Sequence, residues 1–470
     1  MNMRVAEHFG MYYARLPLNQ SATIVHGNAL RIDWEDVVPK RDLSYILGNP
    51  PFVGSNNLNV EQRKEIESLF PQNKTVDYVS AWYLNAAKYI YHTQILAAFV
   101  STNSITQGEQ VAILWKTLFE VYKITIDFAY RTFKWSNEAK GKAAVHCIIV
   151  GFSNVHKSTL KVIYDNDGKK IKAENISPYL INAPNIIIES HNKPICDVPK
   201  IQKGNQPTDG GNLIIEENEI DDFLAKEPLA KPFIKRLIGA QEYINNKKRY
   251  CLWLINVPPD SLRKMPLVME RINKVREIRL ASPDSGARRL AETPMLFRET
   301  NNPETFVVVP SVSSERRKYI PIGFLDKDTI PTNLVLIIPD ATLYHFGILT
   351  SNVHMAWTRA ICGRLKSDYR YSKDIVYNNF PWPHITDIQK ATIETAAQNV
   401  LNARSLFPNS SLADLYDPLT MPPELLKAHK ALDRAVMKLY GFPVKKDFTE
   451  ADCVAALMER YKELVEENKK

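Results

Sequence analysis

The sequence predicts an α/β domain followed by a mixed α+β region and a small helical domain, and three observations carry that expectation. Short apolar runs alternate with helix-spaced stretches up to about residue 155. The texture then turns to short strand-like pieces and turns, and capped amphipathic helices close the chain. In order, Ala22 to Val25 reads as a short strand ending at His26-Gly27-Asn28, and Leu43 to Gly48 as a second. Prolines stop the second, since they neither continue a helix nor donate to a sheet. A helical stretch spans Tyr78 to Tyr91, and strands follow at Ile95 to Val100, Ile124 to Tyr130 and Ala144 to Phe152. Strands spaced by helices suggest a mostly parallel sheet covered on both faces. From about 156 to 385 the chain is mixed, with one helix expected from about Leu343 to Ile361. In the last part, 386–470, Thr386 with Gln389 forms a capping box, and Pro422-Pro423 opens a helix that Gly441 stops.

At 470 residues the chain is too long for one compact core, and 45% hydrophobic with 24% charged residues is ordinary for a folded protein. No apolar run reaches the roughly 18 residues that cross a bilayer, and Met1 to Gly10 lacks a secretory core, so a cytoplasmic location is expected. Cys147, Cys196, Cys251, Cys362 and Cys453 are too scattered for a zinc knuckle or a disulfide framework. His26, His146, His345 and His354 form no metal pattern, so no metal is expected. The net charge of +8 is concentrated: residues 231 to 320 hold 18 Lys/Arg against 9 Asp/Glu.

The chemistry lies in Asn49-Pro50-Pro51-Phe52. An exocyclic base amine is a poor nucleophile because its lone pair is delocalised into the ring. Two fixed acceptors, the amide oxygen of Asn49 and the carbonyl of Pro50, can each take one N–H and free that pair. The ring of proline fixes φ and Pro51 brings no competing donor, which makes the acceptors rigid. Phe52 supplies one aromatic face for a base swung out of its duplex. The motif follows a strand, where open α/β folds place their sites.

Tyr45-Ile46-Leu47-Gly48-Asn49-Pro50-Pro51-Phe52-Val53-Gly54 resembles the catalytic motif of class I amino-methyltransferases that use S-adenosylmethionine. Other strings resemble the MmeI-like family, the methyltransferases of single-chain restriction–modification systems. They include Arg15-Leu16-Pro17-Leu18, His26-Gly27-Asn28-Ala29-Leu30, Asp77-Tyr78-Val79-Ser80-Ala81-Trp82 and Phe133-Lys134-Trp135-Ser136-Asn137-Glu138-Ala139. Val312 to Arg317, Cys362 to Ser372, Tyr377 to Pro383 and Leu415 to Leu419 extend the similarity over nearly the whole chain. The resemblance implies a partial class I (Rossmann-like) methyltransferase sheet in 1–155, a target-recognition domain with its linker in 156–385, and a helical domain in 386–470. It implies Asn28 beside the cofactor's adenine and Asp77 in the cofactor-facing wall. A second aromatic closing the base pocket is Phe133, Trp135 or Phe152, and the sequence does not choose among them.

The family's sheet has strand order 3-2-1-4-5-7-6 and a Gly-rich cofactor loop after its first strand. Only 48 residues precede Asn49, and they contain no such loop. The expectation is therefore an exposed edge on the strand before Asn49, a poorly anchored Ala22 to Val25, weak binding of S-adenosylmethionine by this chain alone, and a separate N-terminal polypeptide as partner. Clustered cations at Arg288-Arg289, Arg316-Arg317-Lys318 and Arg364, Lys366 and Arg370 are expected to contact double-stranded DNA. Three functions stay open on the sequence: site-specific adenine-N6 methyl transfer, a DNA-recognition subunit or remnant without catalysis, and N4-cytosine methylation.

Overall fold

The structure, a computed structural model, describes residues 22–71, 75–135, 145–155, 160–445 and 447–468. Among them β1 (Tyr45–Gly48), β2 (Leu96–Thr102), β3 (Thr125–Trp135), β4 (Val145–Ser153), β5 (Lys161–Tyr164) and β6 (Lys170–Ala173) make one sheet in the order β1-β2-β4-β3-β5-β6. Its first four positions correspond to strands four, five, seven and six of the order expected for a class I sheet.

β1 runs parallel to β2, with Tyr45 opposite Leu96 and Gly48 opposite Phe99. β4 is antiparallel to both β2 and β3, so the sheet is mixed rather than mostly parallel. Nine residues separate β3 from β4, too few for the crossover that parallel neighbours require. The expected strand at Ala22 to Val25 is absent: these residues join no sheet, and Ile24 is 88% exposed. A strand needs a neighbour to pair its backbone, and none lies beside it among the described residues.

α1 (Val60–Leu69) starts with an Asn59 capping box, and α2 (Ser80–Ile90) and α3 (Gln110–Glu120) cover one sheet face. Tyr83 of α2 stacks on Phe152, meets Phe99 edge-on and contacts Trp115 of α3. Side chains alternate across a strand, so Ile46 joins this core while Tyr45 and Leu47 point to the other face. There they stay 64% and 78% exposed, which leaves β1 an uncovered apolar edge strand.

Beyond β6 the chain folds into two four-stranded sheets and a three-stranded one. Two antiparallel strands, β8 (Ile214–Glu216) and β10 (Arg249–Leu252), and the helix α4 (Pro266–Leu280) enclose a separate core around Leu213, Leu252, Val268, Val275 and Phe297. β11 (Thr305–Pro310) and β15 (Val335–Pro339) instead contribute Val307, Val309, Leu336 and Ile338 to the main core, which continues from Leu58 to Tyr461. The single helix expected from Leu343 to Ile361 is two: α5 (Leu343–Leu349) and α6 (Asn352–Ile361). Ser351 breaks it, because its side chain accepts from the His354 N–H and caps a new helix instead of continuing the old one. α7 (Asp387–Ser405) begins at the Thr386–Gln389 capping box, α8 (Pro423–Leu439) at Pro422-Pro423, and α9 (Glu450–Glu467) at Thr449. Gly441 follows α8 at φ 73°, the left-handed conformation that ends helices. Among the described residues, no helix is long and apolar enough to cross a membrane.

A charge on β1 tests the open face. Leu47→Lys should change folding stability by no more than about 0.5 kcal/mol, the usual range for surface substitutions, while lowering concentration-dependent association in sedimentation velocity. A large drop in melting temperature would show that Leu47 is covered.

Candidate functional site

β1 delivers the motif and the prolines end it. Pro50 is buried and Asn49 is exposed, so the ring anchors the loop while the amide faces outward. Among the described residues neither the Asn49 side chain nor the Pro50 carbonyl has a hydrogen-bond partner. The next turn is pinned: Val53 N–H donates to the Pro51 carbonyl at 3.2 Å, and Tyr78 N–H to the Val53 carbonyl at 2.9 Å. Asp77 accepts from Ser55 N–H at 2.8 Å, and its own N–H donates to Gln110 Oε1 at 2.9 Å. Asp77 thus ties the loop after the motif to α3.

Asn28 is also engaged. Its Oδ1 accepts from Leu30 N–H at 2.9 Å and its Nδ2 donates to Glu65 Oε1 at 2.8 Å. Glu65 of α1 collects Arg31 as well, at 2.6 Å, together with the Tyr78 hydroxyl. Burial, then the Glu65 carboxylate, pushes the Tyr78 phenol up to about 12, so it stays a donor. The network joins the segment after His26 to α1 and to the turn that precedes α2.

Past the carboxyl end of β2 a cleft of about 890 Å³ separates the first sheet from the recognition region. Thr102, Asn103, Gln107, Phe133 and His146 line one side, and Glu315, Arg316, Arg364, Lys366 and Tyr369 the other. His146 Nε2 lies 3.7 Å from Glu315 Oε2 across it. Arg364 stacks on Tyr369 with its guanidinium 4.0 Å from the ring centre and donates to Gln107 Oε1 at 3.3 Å. Gly108, at φ 71°, sits where a Cβ would approach Gly363 Cα to 3.2 Å, so the two sides meet backbone to backbone.

Among the three candidate aromatics, Phe133 lines this cleft. Phe152 is corrected: it is 1% exposed and stacked on Tyr83, so its ring belongs to the core. Trp135 ends β3 opposite Val145, and its side chain lies outside the described residues, as do Arg15 to Leu18 and Ser136 to Ala139. Among the expected cations, Arg316, Arg364 and Lys366 converge on the cleft. Arg317 is partly buried, and that burial holds its guanidinium below the usual range. The Lys318 amine lies 5.3 Å over the Tyr319 ring, and Arg370 is exposed on the β17 strand (Asp368–Arg370). Arg288 and Arg289 lie on a short helix beside the second core, where Arg288 donates to the carbonyls of Ser282 and Pro283.

The basic count overstated the surface. Arg279, fully buried, donates to the carbonyls of Pro207, Thr208, Leu290, Thr293 and Leu296, and so closes loops rather than facing a ligand. Sequence reasoning missed Asn103, Gln107, His146 and Glu315. Asn103 could have been flagged by its place just past the carboxyl end of a strand; Glu315 and His146 meet only through the tertiary fold.

The described sheet is part of a class I methyltransferase sheet, open at its carboxyl end toward a basic region. Three family models account for the chain: the MmeI DNA-methyltransferase domain over residues 1–165, the MmeI target recognition domain over 182–384 and the MmeI C-terminal domain over 385–468. The chain belongs to the MmeI family. It is 43% identical over 458 residues to DNA methyltransferase A of Bacillus subtilis (strain 168), a match that covers 96% of this chain and 51% of that protein. It is similar in structure to the type IIL restriction–modification enzyme MmeI solved in complex with DNA, with a TM-score of 0.88 and 45% identity over 99% of this chain and 63% of that one. The chain thus spans about half the length of the curated relative.

Removing the Asp77 carboxylate should leave the Ser55 N–H without its acceptor. Asp77→Ala is expected to cost about 1–2 kcal/mol in urea unfolding and to raise amide exchange in residues 53–57. Unchanged exchange there would assign Asp77 no part in holding the motif loop.

Proposed function

We propose that the chain is the catalytic and recognition part of a site-specific DNA methyltransferase of a restriction–modification system, acting on the N6 amine of adenine with S-adenosylmethionine as methyl donor. The observation that carries this is the free acceptor pair: an exposed Asn49 amide beside the unbonded Pro50 carbonyl on a proline-fixed loop. Each acceptor takes one N–H of the target amine, which turns the lone pair away from ring conjugation. Phe52 forms one face for the flipped base and Phe133 the other, with each stacking contact contributing on the order of 1–3 kcal/mol. The proton left on the methylated nitrogen then departs to solvent or to one of these acceptors. Arg316, Arg364 and Lys366 flank the cleft as phosphate and base-edge contacts, and Arg317, Lys318, Arg370, Arg288 and Arg289 extend the basic surface. The DNA complex of the MmeI relative supports the duplex as substrate.

The described residues do not complete a site for the methyl donor. Asn28 and Asp77 are bonded to Glu65 and Ser55, and among the described residues no Gly-rich loop abuts the open edge of β1. We propose that residues beyond those described, on this or another polypeptide, supply that half of the site. The same observation favours a second reading, a DNA-recognition subunit without its own catalysis. Calorimetric titration tests the incomplete site: tight binding of S-adenosylmethionine by this chain alone would contradict the need for further residues, whereas the methylation assay separates the two readings.

Methylome sequencing of cells carrying the chain together with a polypeptide that supplies the methyl-donor half should reveal adenine-N6 marks at one sequence motif. Asn49→Ala should reduce them by about 100-fold or more, the loss typical of a preorganised polar group at a reacting centre. Marks at cytosine N4 would move the target to the other exocyclic amine, and marks unaffected by Asn49→Ala would remove the motif from catalysis.

A further inference from the structure

The segment Ser314 to Tyr319 follows β12 (Val312–Ser313), which pairs with β17. It carries Arg316 to the cleft with Arg317 and Lys318 beside it, and three of its contacts, to Asp417, His429 and Asp433, come from the C-terminal helical domain. Tyr319, fully buried, donates its hydroxyl to Asp433 Oδ2 of α8 at 2.6 Å, and the other oxygen of Asp433 accepts from Asn352 N–H at the start of α6 at 2.8 Å. The Tyr319 ring stacks on His429, also on α8, with centroids 4.1 Å apart and planes 17° from parallel. His429 Nε2 in turn meets the Tyr416 hydroxyl at 2.8 Å.

Two further carboxylates converge on the same few residues. Glu450, the first residue of α9, pairs with Arg359 at 2.8 Å, and Arg359 donates to the Lys318 carbonyl at 2.7 Å. Asp417 lies 3.7 Å from the Arg316 guanidinium. Asp417 lies in a loop and Asp433 and Glu450 on two helices, so the C-terminal domain touches the basic segment at Arg316 and Tyr319 and, through Arg359, braces the Lys318 carbonyl.

We propose that the C-terminal domain is a working part of the DNA interface: it holds Ser314 to Tyr319 in the one conformation that presents the exposed Arg316 and Lys318 to phosphates, with Asp433 as the positioning residue. Asp433 itself reaches no DNA; it acts through Tyr319. The proposal rests on the assignment of this segment to DNA. A segment fixed in advance loses no conformational entropy on binding, so loosening it should lower both affinity and the number of phosphates engaged together.

The test uses the full chain, a fluorescein-labelled generic duplex and a series of salt concentrations. Wild type should show a steep log–log loss of affinity with salt. Asp433→Ala and Tyr319→Phe should bind about 3- to 10-fold more weakly, with a salt slope lower by about 1, the equivalent of one lost phosphate contact. Asp433→Asn, which still offers an oxygen to Asn352 N–H and an amide to the tyrosine hydroxyl, should recover to within about twofold of wild type. Hydrogen exchange should rise in residues 312–319 for Asp433→Ala while melting of the chain stays cooperative. Wild-type affinity and slope in both Asp433→Ala and Tyr319→Phe would overturn the positioning role with the DNA assignment intact. A salt-independent or absent interaction in wild type would remove the DNA assignment itself, and the positioning role with it.

Discussion

The structure depends on a constraint in the backbone at one point, where two prolines meet the end of a parallel strand. Neither Pro50 nor Pro51 can donate a hydrogen bond to a sheet, so β1 must stop at Gly48. With φ fixed at both residues the chain has few ways to leave, and Tyr78 and Asp77 hold the one it takes. Rigidity here comes from covalent geometry, two hydrogen bonds and the buried Pro50 ring. That leaves the Asn49 amide exposed and unpaired without a folding cost, since an exposed acceptor is satisfied by water.

A second dependence runs between domains. The main core passes without interruption from α2 and α3 through β11 and β15 to the C-terminal helices, whereas residues around Leu213 to Phe297 keep a core of their own. The part nearest the motif is therefore braced from both ends of the chain, and the lobe with the separate core is attached at its margins. Buried polar groups sharpen this division. Tyr319, Asp433, His429 and Tyr416 form a connected set inside the continuous core, where burial drives the His429 imidazole toward its neutral form and leaves it an acceptor for Tyr416. Such a set specifies one packing of α8 against the recognition region more sharply than apolar contacts alone would.

How much was legible in the sequence follows the range of the interactions concerned. Thr386 with Gln389 and the Pro422-Pro423 start were readable because caps and proline act within four residues. The break at Ser351 was equally local, but apolar periodicity on both sides concealed it. Ala22 to Val25 has the composition of a strand and lacks a neighbour, which composition does not record. Phe133 and Phe152 look alike as residues; the fold sets one beyond a bulge at the cleft end of β3 and the other on the β4 face that α2 covers through Tyr83. In the site, the motif residues were visible because their chemistry is contiguous, whereas His146 and Glu315 are 169 positions apart and meet through the fold. Arg279 shows the converse: its charge entered the basic count, and the fold spends it on five carbonyls.

The seam between the first sheet and the recognition region explains why the cleft has a set width. Gly108 N–H donates to the Ile361 carbonyl at 2.9 Å, and Gly108 and Gly363 come close enough that a side chain on the first would collide with the second. Gln107 donates to the Arg359 carbonyl at 3.5 Å and accepts from Arg364 at 3.3 Å, so the residues on both sides of the contact are held by polar bonds. A hinge needs a few residues free to change φ and ψ, and here those residues carry hydrogen bonds across the boundary. The distance from Phe133 to the Arg364–Tyr369 stack is accordingly a property of the fold before any ligand arrives. A ligand entering such a cleft meets a geometry that the fold has already set.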